Sequence, residues 1–221
     1  MKMAKTFGVH DYDQYWIDRI SKRGISEKFG SRHHAILSLV NKYLPPGKTI
    51  LDFGIGQGKM IKSLTERYKV YAVEISQVII DQFKDSGMVI KKHDLNEGLC
   101  DFGVKFDFII ASYVLHHLRD PDKLISQIPD YLNPSGYFLI CFPNVISLNK
   151  RIKFLKGRFP NFSGRHQNFL TPQEIRECCL KHFKLVETLT PRYVTGSKYV
   201  VNFYPDLLAK EIISLFQKGS S

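Results

Sequence analysis

The chain has 221 residues, a formal net charge of +11 and 43% hydrophobic residues. This length suits one sizeable α/β domain and is short for two. No stretch approaches the roughly 20 apolar residues of a membrane span, and the first residues lack an apolar core of signal-peptide length. Composition therefore argues against a membrane-spanning or exported protein.

The four cysteines are Cys100, Cys141, Cys178 and Cys179. They form no C-x-x-C pair and stand mostly among apolar residues, a pattern typical of structural thiols in a reducing compartment. We therefore expect a cytoplasmic protein, and we expect no metal site.

Helical and strand patterns alternate along most of the chain, which predicts a parallel sheet with helices on both faces. The predicted elements are helices 12–23 and 27–43, strand 48–53, helix 58–67, strand 69–74, helix 76–86, strands 88–92 and 106–111, helix 121–131, strand 136–142, helix 171–181, strand 183–190 and a final strand 207–217.

A glycine-rich loop follows the first predicted strand. Asp52 precedes Gly54, Gly56 and Gly58, and the next helix begins behind them. Glycine allows positive φ and close approach of a ligand, and a helix N-terminus offers free N–H groups to an anion. The loop predicts a nucleotide-like cofactor. Its spacing departs from the dinucleotide fingerprint, because Lys59 stands at the sixth position, where that fingerprint has glycine.

Three further segments carry polar residues at the ends of predicted strands. Glu74 ends the second strand, 22 residues after Asp52, where a carboxylate can accept hydrogen bonds from both ribose hydroxyls. Asp94 and Leu95 follow the third strand, and Ser112 follows the fourth. Enzymes that use NAD also bind ribose through a carboxylate at the end of the second strand, so Glu74 alone does not identify the cofactor.

In this order the four segments resemble the motifs of class I S-adenosylmethionine-dependent methyltransferases, over roughly residues 30–145. The resemblance implies a Rossmann-like, doubly wound, mostly parallel sheet of seven strands, with helices on both faces and the last strand antiparallel. S-adenosylmethionine would lie across the carboxyl ends of the strands, with Asp94 at the adenine amino group. The implied cofactor-binding residues are Asp52, Gly54, Gly56, Gly58, Glu74, Ile75, Asp94, Leu95, Ser112 and Tyr15.

The resemblance also implies how one domain, residues 1–221, is organised. Residues 1–45 would form a helical lid, 46–142 the cofactor-binding core, 143–170 a basic insertion near the acceptor site, and 171–221 a C-terminal helix and strands. Tyr15 in the lid would face the sulfonium, which an aromatic ring attracts. The competing interpretation is that Tyr12, Tyr15 and Trp16 are the apolar side of a helix packed on the core.

Histidine is the natural base for a hydroxyl acceptor near neutral pH. His117 matches the family's histidine in the turn after the fourth strand, whereas His116 stands where that family more often has Glu. His166 lies in a segment similar to the one that brings a histidine over the active site in related enzymes. We therefore name His117, His166 and His116 as candidate bases, and a structural role stays open for each.

The segment 143–170 predicts a basic amphipathic helix. Leu148, Ile152, Leu155 and Phe159 fall at helical spacing, and Lys150, Arg151, Lys153, Lys156 and Arg158 interleave with them. The first interpretation is a solvated charged face with the apolar stripe packed on the domain. The second is an anionic substrate, and the third is docking on an anionic membrane.

We expect methyl transfer to a small molecule, with an oxygen of an anionic or sugar-like metabolite as the acceptor. Nucleic acid ranks lower, because Ala111-Ser112-Tyr113-Val114 stands where many base-modifying enzymes have an [N/D/S]-P-P-[Y/F] stretch. A similarity to methionine-biosynthesis W-type proteins leaves a non-methylating partner subunit as the alternative. A lipid, quinone or RNA methyltransferase ranks below both.

Overall fold

A seven-stranded sheet forms the centre of the described structure. The computed structural model describes residues 9–24, 29–159 and 167–219. The strands are β1 (Thr49–Phe53), β2 (Lys69–Glu74), β3 (Val89–Lys92), β4 (Phe106–Ser112), β5 (Leu132–Pro143), β6 (Phe183–Tyr193) and β7 (Ala209–Lys218). They lie in the order β3-β2-β1-β4-β5-β7-β6. β7 runs antiparallel to both of its neighbours, and the remaining pairs are parallel. The predicted fold class is confirmed, including the antiparallel last strand.

The helices cover both faces of this sheet. They are α1 (Val9–Arg23), α2 (Ser31–Tyr43), α3 (Lys59–Leu64), α4 (Gln77–Phe83), α5 (Pro121–Tyr131), α6 (Leu148–Leu155), α7 (Pro172–Leu180) and α8 (Pro205–Leu208). Alternation along β1 separates the two cores: Leu51 and Phe53 pack with α5 and α7, whereas Ile50 packs with α2, α3 and α4. None of the described helices is long and apolar enough to cross a membrane.

Element boundaries follow the sequence closely where periodicity is strong. β2 and α5 have the predicted bounds. β5 begins at Leu132 instead of residue 136, because Leu132 already pairs with Phe106 of β4. The register shifts between Phe106 and Phe108, and Ser135 has a φ of 59°. Residues 133–135, which precede the predicted strand, thus form an irregularity within a longer strand.

The first interpretation of the basic helix was wrong about its apolar stripe. No residue of α6 is buried, and Leu155 is 86% exposed. Contacts at its start hold this helix, where Lys150 donates to the carbonyl of Asn144 and Arg151 to that of Ile146. Periodicity predicted the helix, but it could not show that the apolar side projects away from the domain.

Asn144 joins the end of β5 to the start of β7. Its side chain is fully buried and donates to the carbonyls of Asp206 and Ala209, both at 2.8 Å. Its Oδ1 accepts from the N–H of Ile146 at 3.0 Å. One amide side chain therefore fixes both the turn that leads into α6 and the segment that leads into β7.

We predict that Asn144→Ala lowers the free energy of unfolding by about 2–4 kcal/mol, because two carbonyls and one N–H lose their partner where water has little access. Urea denaturation measures the loss. Asn149→Ala is the matched control, since Asn149 is exposed on α6. Equal losses in the two variants would contradict the role given to Asn144.

Candidate functional site

One cleft, of about 570 Å³, opens at the carboxyl ends of the parallel strands. Twelve of the thirteen predicted site residues line it. They are Tyr15, Asp52, Gly54, Gly56, Gly58, Glu74, Ile75, Asp94, Leu95, Ser112, His116 and His117. The thirteenth, His166, lies outside the described residues. Residues that lie up to about 100 positions apart in the chain thus meet at one edge of the sheet, as expected for a doubly wound fold.

The glycine loop between β1 and α3 takes a conformation that favours glycine. Gly54, Gly56 and Gly58 have φ values of 72°, 57° and 65°, the left-handed region that other residues rarely adopt. At Gly58 a Cβ would also overlap the ring of Phe83 on α4. The third glycine therefore lets α4 pack against the start of α3.

Backbone N–H groups surround the Glu74 carboxylate at the end of β2. Its Oε1 accepts from Ile75 at 2.9 Å and from Ser76 at 3.0 Å, and its Oε2 accepts from Gly56 at 3.2 Å. Burial raises the pKa of Glu74, and these three donors oppose the rise. The carboxylate both ties the glycine loop to β2 and forms part of the cleft wall.

Asp52 is the least stabilised acid of the cleft. It is 3% exposed, and no hydrogen bond to its carboxylate is found among the described residues. Burial, and then the nearby charge of Glu74, raise the pKa of Asp52 well above its usual value. A cationic group in the cleft would offset part of this electrostatic cost, so the site favours a positively charged ligand next to Asp52.

Asp94 caps the short 3₁₀ turn Leu95–Glu97 after β3. Its Oδ1 accepts from the backbone N–H and from the side-chain amide of Asn96, both at 2.9 Å. Leu95 is 9% exposed and packs in the core while also lining the cleft. A hydrogen-bonding acid and an apolar wall thus stand together at this end of the cleft.

Helix α1 closes over the glycine loop. Asp13 on this helix accepts from the Ser76 hydroxyl at 2.5 Å and from the Val78 N–H at 3.3 Å, which fastens α1 to the start of α4. The Trp16 ring lies 3.8 Å from the position of a Cβ on Gly56. Trp16 lines the cleft and also packs against the core, as expected for the apolar side of a helix packed on the domain.

Two histidines stand on the turn that follows β4. His116 is 7% exposed and His117 is half-buried, with their ring centroids 4.1 Å apart. The carbonyl of His116 accepts from the N–H of Gln167 at 2.9 Å. Asn168 donates to the carbonyls of Leu115 and Leu118. Gln167 and Asn168 are therefore anchored on the turn that carries His116 and His117.

Sequence reasoning missed a polar cluster beside these histidines. The Tyr113 hydroxyl donates to Glu211 at 2.6 Å, and the Arg32 guanidinium lies 4.2 Å from the Tyr113 ring centroid and 3.7 Å from Glu211. Arg32 and Tyr113 line the cleft, whereas Glu211 is 1% exposed behind them. Burial and the Glu211 charge raise the pKa of Tyr113, which keeps the phenol protonated. Tyr113 also has a positive φ of 62°, which the sequence did not predict.

The cysteines take no part in this cleft. All four are free thiols, and Cys141 and Cys179 are buried. Within the described ranges, no group of three His, Cys, Asp or Glu side chains could hold a metal ion. The cleft therefore offers carboxylates, histidines, tyrosines and two arginines, Arg19 and Arg32, as its chemical groups.

A family model described as a methyltransferase domain matches residues 28–185. Among characterised sequences, the ubiquinone biosynthesis O-methyltransferase of Bartonella bacilliformis is 26% identical over 159 residues, which is 66% of this chain and 64% of that protein. The next two relatives are matched over 48% and 38% of their lengths. The chain thus spans about half the length of the curated relatives it matches.

Solved structures share the fold at low sequence identity. The N-methyltransferase NodS from Bradyrhizobium japonicum WM9, in complex with S-adenosyl-L-homocysteine, is 13% identical with a TM-score of 0.61, covering 93% of this chain and 97% of that one. The [4+2]-cyclase SpnF is 14% identical with a TM-score of 0.62, covering 85% and 81%. The same architecture therefore occurs in a methyltransferase and in a cyclase.

We predict that Gly58→Ala destabilises the fold by several kcal/mol, because the methyl group adds an overlap with Phe83 to the backbone strain. Gly47→Ala is the matched control: Gly47 has a φ of 84° but no atom within 4 Å of an added Cβ. We expect about 1 kcal/mol for that variant. Chemical denaturation of both measures the difference, and equal losses would show that the Phe83 contact costs nothing.

Proposed function

The chain belongs to the class I S-adenosylmethionine-dependent methyltransferases, and from this premise we propose that it methylates an oxygen atom of a small anionic or sugar-like molecule. The observation that carries the proposal is the pair His116 and His117 in the cleft wall, on the turn that follows the predicted cofactor-binding strands. A hydroxyl acceptor needs a base, and histidine suits that task near neutral pH. Arg32, which lies over the Tyr113 ring and lines the same cleft, supports an anionic acceptor.

The residues present fit S-adenosylmethionine. Glu74 would accept from the ribose hydroxyls, and Asp94 with Leu95 would hold the adenine ring. Asp52, whose buried carboxylate makes no hydrogen bond within the described ranges, would face the cationic methionine end. The glycine loop would allow the close approach. Residues 46–142 would thus bind the cofactor.

For this reaction the protein needs only to position the two reactants and to accept one proton. Bound S-adenosylmethionine supplies a methyl group that is already activated by its sulfonium. Tyr15 and Trp16 on α1 would exclude water from the cleft. The closed cleft would also hold the acceptor oxygen in line with the methyl group. His117 would accept the hydroxyl proton as the acceptor oxygen attacks, and Tyr113, kept protonated by burial beside Glu211, would shape the acceptor side of the cleft.

Titration calorimetry with S-adenosylhomocysteine, followed by transfer of tritiated methyl from S-adenosylmethionine into a small-molecule extract, tests the proposal. Label in an anionic, oxygen-methylated product would support it. Cofactor binding without any transfer, in the presence of the extract, would favour the second candidate, a non-methylating protein on this fold. The similarity of fold to the cyclase SpnF is the observation behind that candidate.

We predict that Asp52→Asn weakens S-adenosylhomocysteine binding at least about tenfold near pH 8, because the ligand's ammonium loses a buried negative partner. The difference should shrink as the pH falls, since protonation of Asp52 in the wild type removes the same charge. Calorimetry across this pH range measures both effects. Affinities that stay equal at every pH would contradict the role of Asp52.

The same substitution should stabilise the ligand-free protein at high pH. The pKa of Asp52 is raised in the folded state, so the native protein binds a proton that the unfolded chain has released. Stability is therefore fully present below the unfolded-state pKa, and it is lost as the pH rises from there to the folded-state pKa. Asn cannot ionise, so Asp52→Asn should unfold at a higher temperature than the wild type near pH 8 and at a similar temperature at lower pH. A lower melting temperature at both pH values would contradict the electrostatic account.

We predict that His117→Gln lowers the rate of methyl transfer at least about 100-fold while S-adenosylhomocysteine binds with unchanged affinity, because a base acts only on the acceptor proton. The tritium assay and calorimetry provide the two measurements. His182→Gln is the control, since His182 lies at the turn before β6 and does not line the cleft. An unchanged rate in His117→Gln would exclude His117 as the base.

A further inference from the structure

Apolar side chains project into solvent along α6 and the residues that follow it. Ile152, Phe154, Leu155 and Phe159 are 40%, 49%, 86% and 70% exposed. The rings of Phe154 and Phe159 meet edge to face, with centroids 5.4 Å apart. A group of large exposed apolar side chains on a short segment marks a surface that binds something apolar.

Positive charge surrounds these side chains. Arg151, Lys153, Lys156 and Arg158 are exposed within the same eight positions. The sequence contains no Asp or Glu between Asp130 and Glu174. The segment therefore has a strongly positive character with no nearby acid along the chain to neutralise it.

A second exposed apolar segment starts from the same end of the sheet. Tyr199, Phe203 and Tyr204 are 85%, 78% and 64% exposed, just before β7. Asn144 holds both segments, because it bonds to the carbonyls of Asp206 and Ala209 and its own carbonyl accepts from Lys150. We call residues 151–159 and 198–204 together the apolar–basic rim.

Both rim segments connect to the edge of the sheet at which the cleft opens. β5 ends at Pro143 beside β4, where Cys141 pairs with Ser112, and Ser112 lines the cleft. The chain leaves β5 two residues beyond Cys141 and reaches the rim at Arg151, and the second rim segment ends five residues before β7 begins at the same edge of the sheet. A surface that binds the rim would therefore lie near the mouth of the cleft.

We propose that the apolar–basic rim docks this protein on a membrane surface rich in anionic lipid. Lysine and arginine near such a surface are attracted to the lipid headgroups, and leucine, isoleucine and phenylalanine on the same segment can insert at the acyl boundary. Tyrosine favours the same interfacial depth. The aliphatic side chains Ile152 and Leu155 have no counterpart in a nucleic-acid backbone, so charge and apolar exposure together favour a lipid surface over RNA.

Sedimentation with vesicles tests this docking. The wild-type protein should pellet with phosphatidylcholine vesicles only when they contain phosphatidylglycerol, and the bound fraction should fall with added salt. Lys153→Gln/Lys156→Gln should weaken the partition constant about 30-fold, from two surface charges. Phe154→Ser/Leu155→Ser should weaken it by about tenfold or more. No side chain of α6 is buried, so both variants should fold.

Matched controls carry the same chemical changes elsewhere. Val89→Ser/Val104→Ser removes exposed apolar groups near the far edge of the sheet, and Lys62→Gln/Lys84→Gln removes two exposed charges. Both should sediment like the wild type. Failure of the wild type to pellet, equal pelleting of the rim variants, or binding to an RNA but not to vesicles would overturn the proposal. Calorimetry with S-adenosylhomocysteine on every variant separates this result from the cofactor site, which the rim does not touch.

Discussion

Burial of two acids in one cleft is the constraint on which the rest of this structure depends. Asp52 is the second-last residue of β1 and Glu74 ends its parallel neighbour β2, and both are less than 5% exposed. Backbone N–H groups of the glycine loop and of the start of α4 stabilise the Glu74 carboxylate. The burial of Asp52 is not compensated in this way, and it raises the pKa of that carboxyl group. The fold maintains this unfavourable arrangement because the surrounding sheet is closely packed, and such stored cost is typical of ligand sites.

The remaining elements make this arrangement possible and close it. Gly58 admits Phe83, so α3 and α4 pack together behind the loop. Asp13 fastens α1 over the same loop through Ser76 and Val78, which brings Trp16 to the cleft. The glycine positions, Glu74 and α1 are therefore parts of one local arrangement.

Sequence reasoning succeeded where the signal is local. The glycine loop, the strand ending at Glu74 and the helix starting at Pro121 each rest on a few consecutive residues, and the structure has them at the expected positions. It missed the cluster of Arg32, Tyr113 and Glu211, because hydrogen-bond partners 98 positions apart leave no pattern along the chain. Periodicity gave the helix of the basic insertion but could not show whether tertiary packing would cover its apolar side. The role of His166 stays a prediction, because that residue lies outside the described ranges.

The most direct measurement is a calorimetric titration of the wild-type protein with S-adenosylhomocysteine. The buried acids, the positive φ angles of the glycine loop and the position of α1 over that loop together predict one binding site per chain with a dissociation constant in the micromolar range or below. An absence of binding by a protein whose unfolding is cooperative would contradict the central claim. The free-energy cost of burying Asp52 and Glu74 would then have no ligand to account for it.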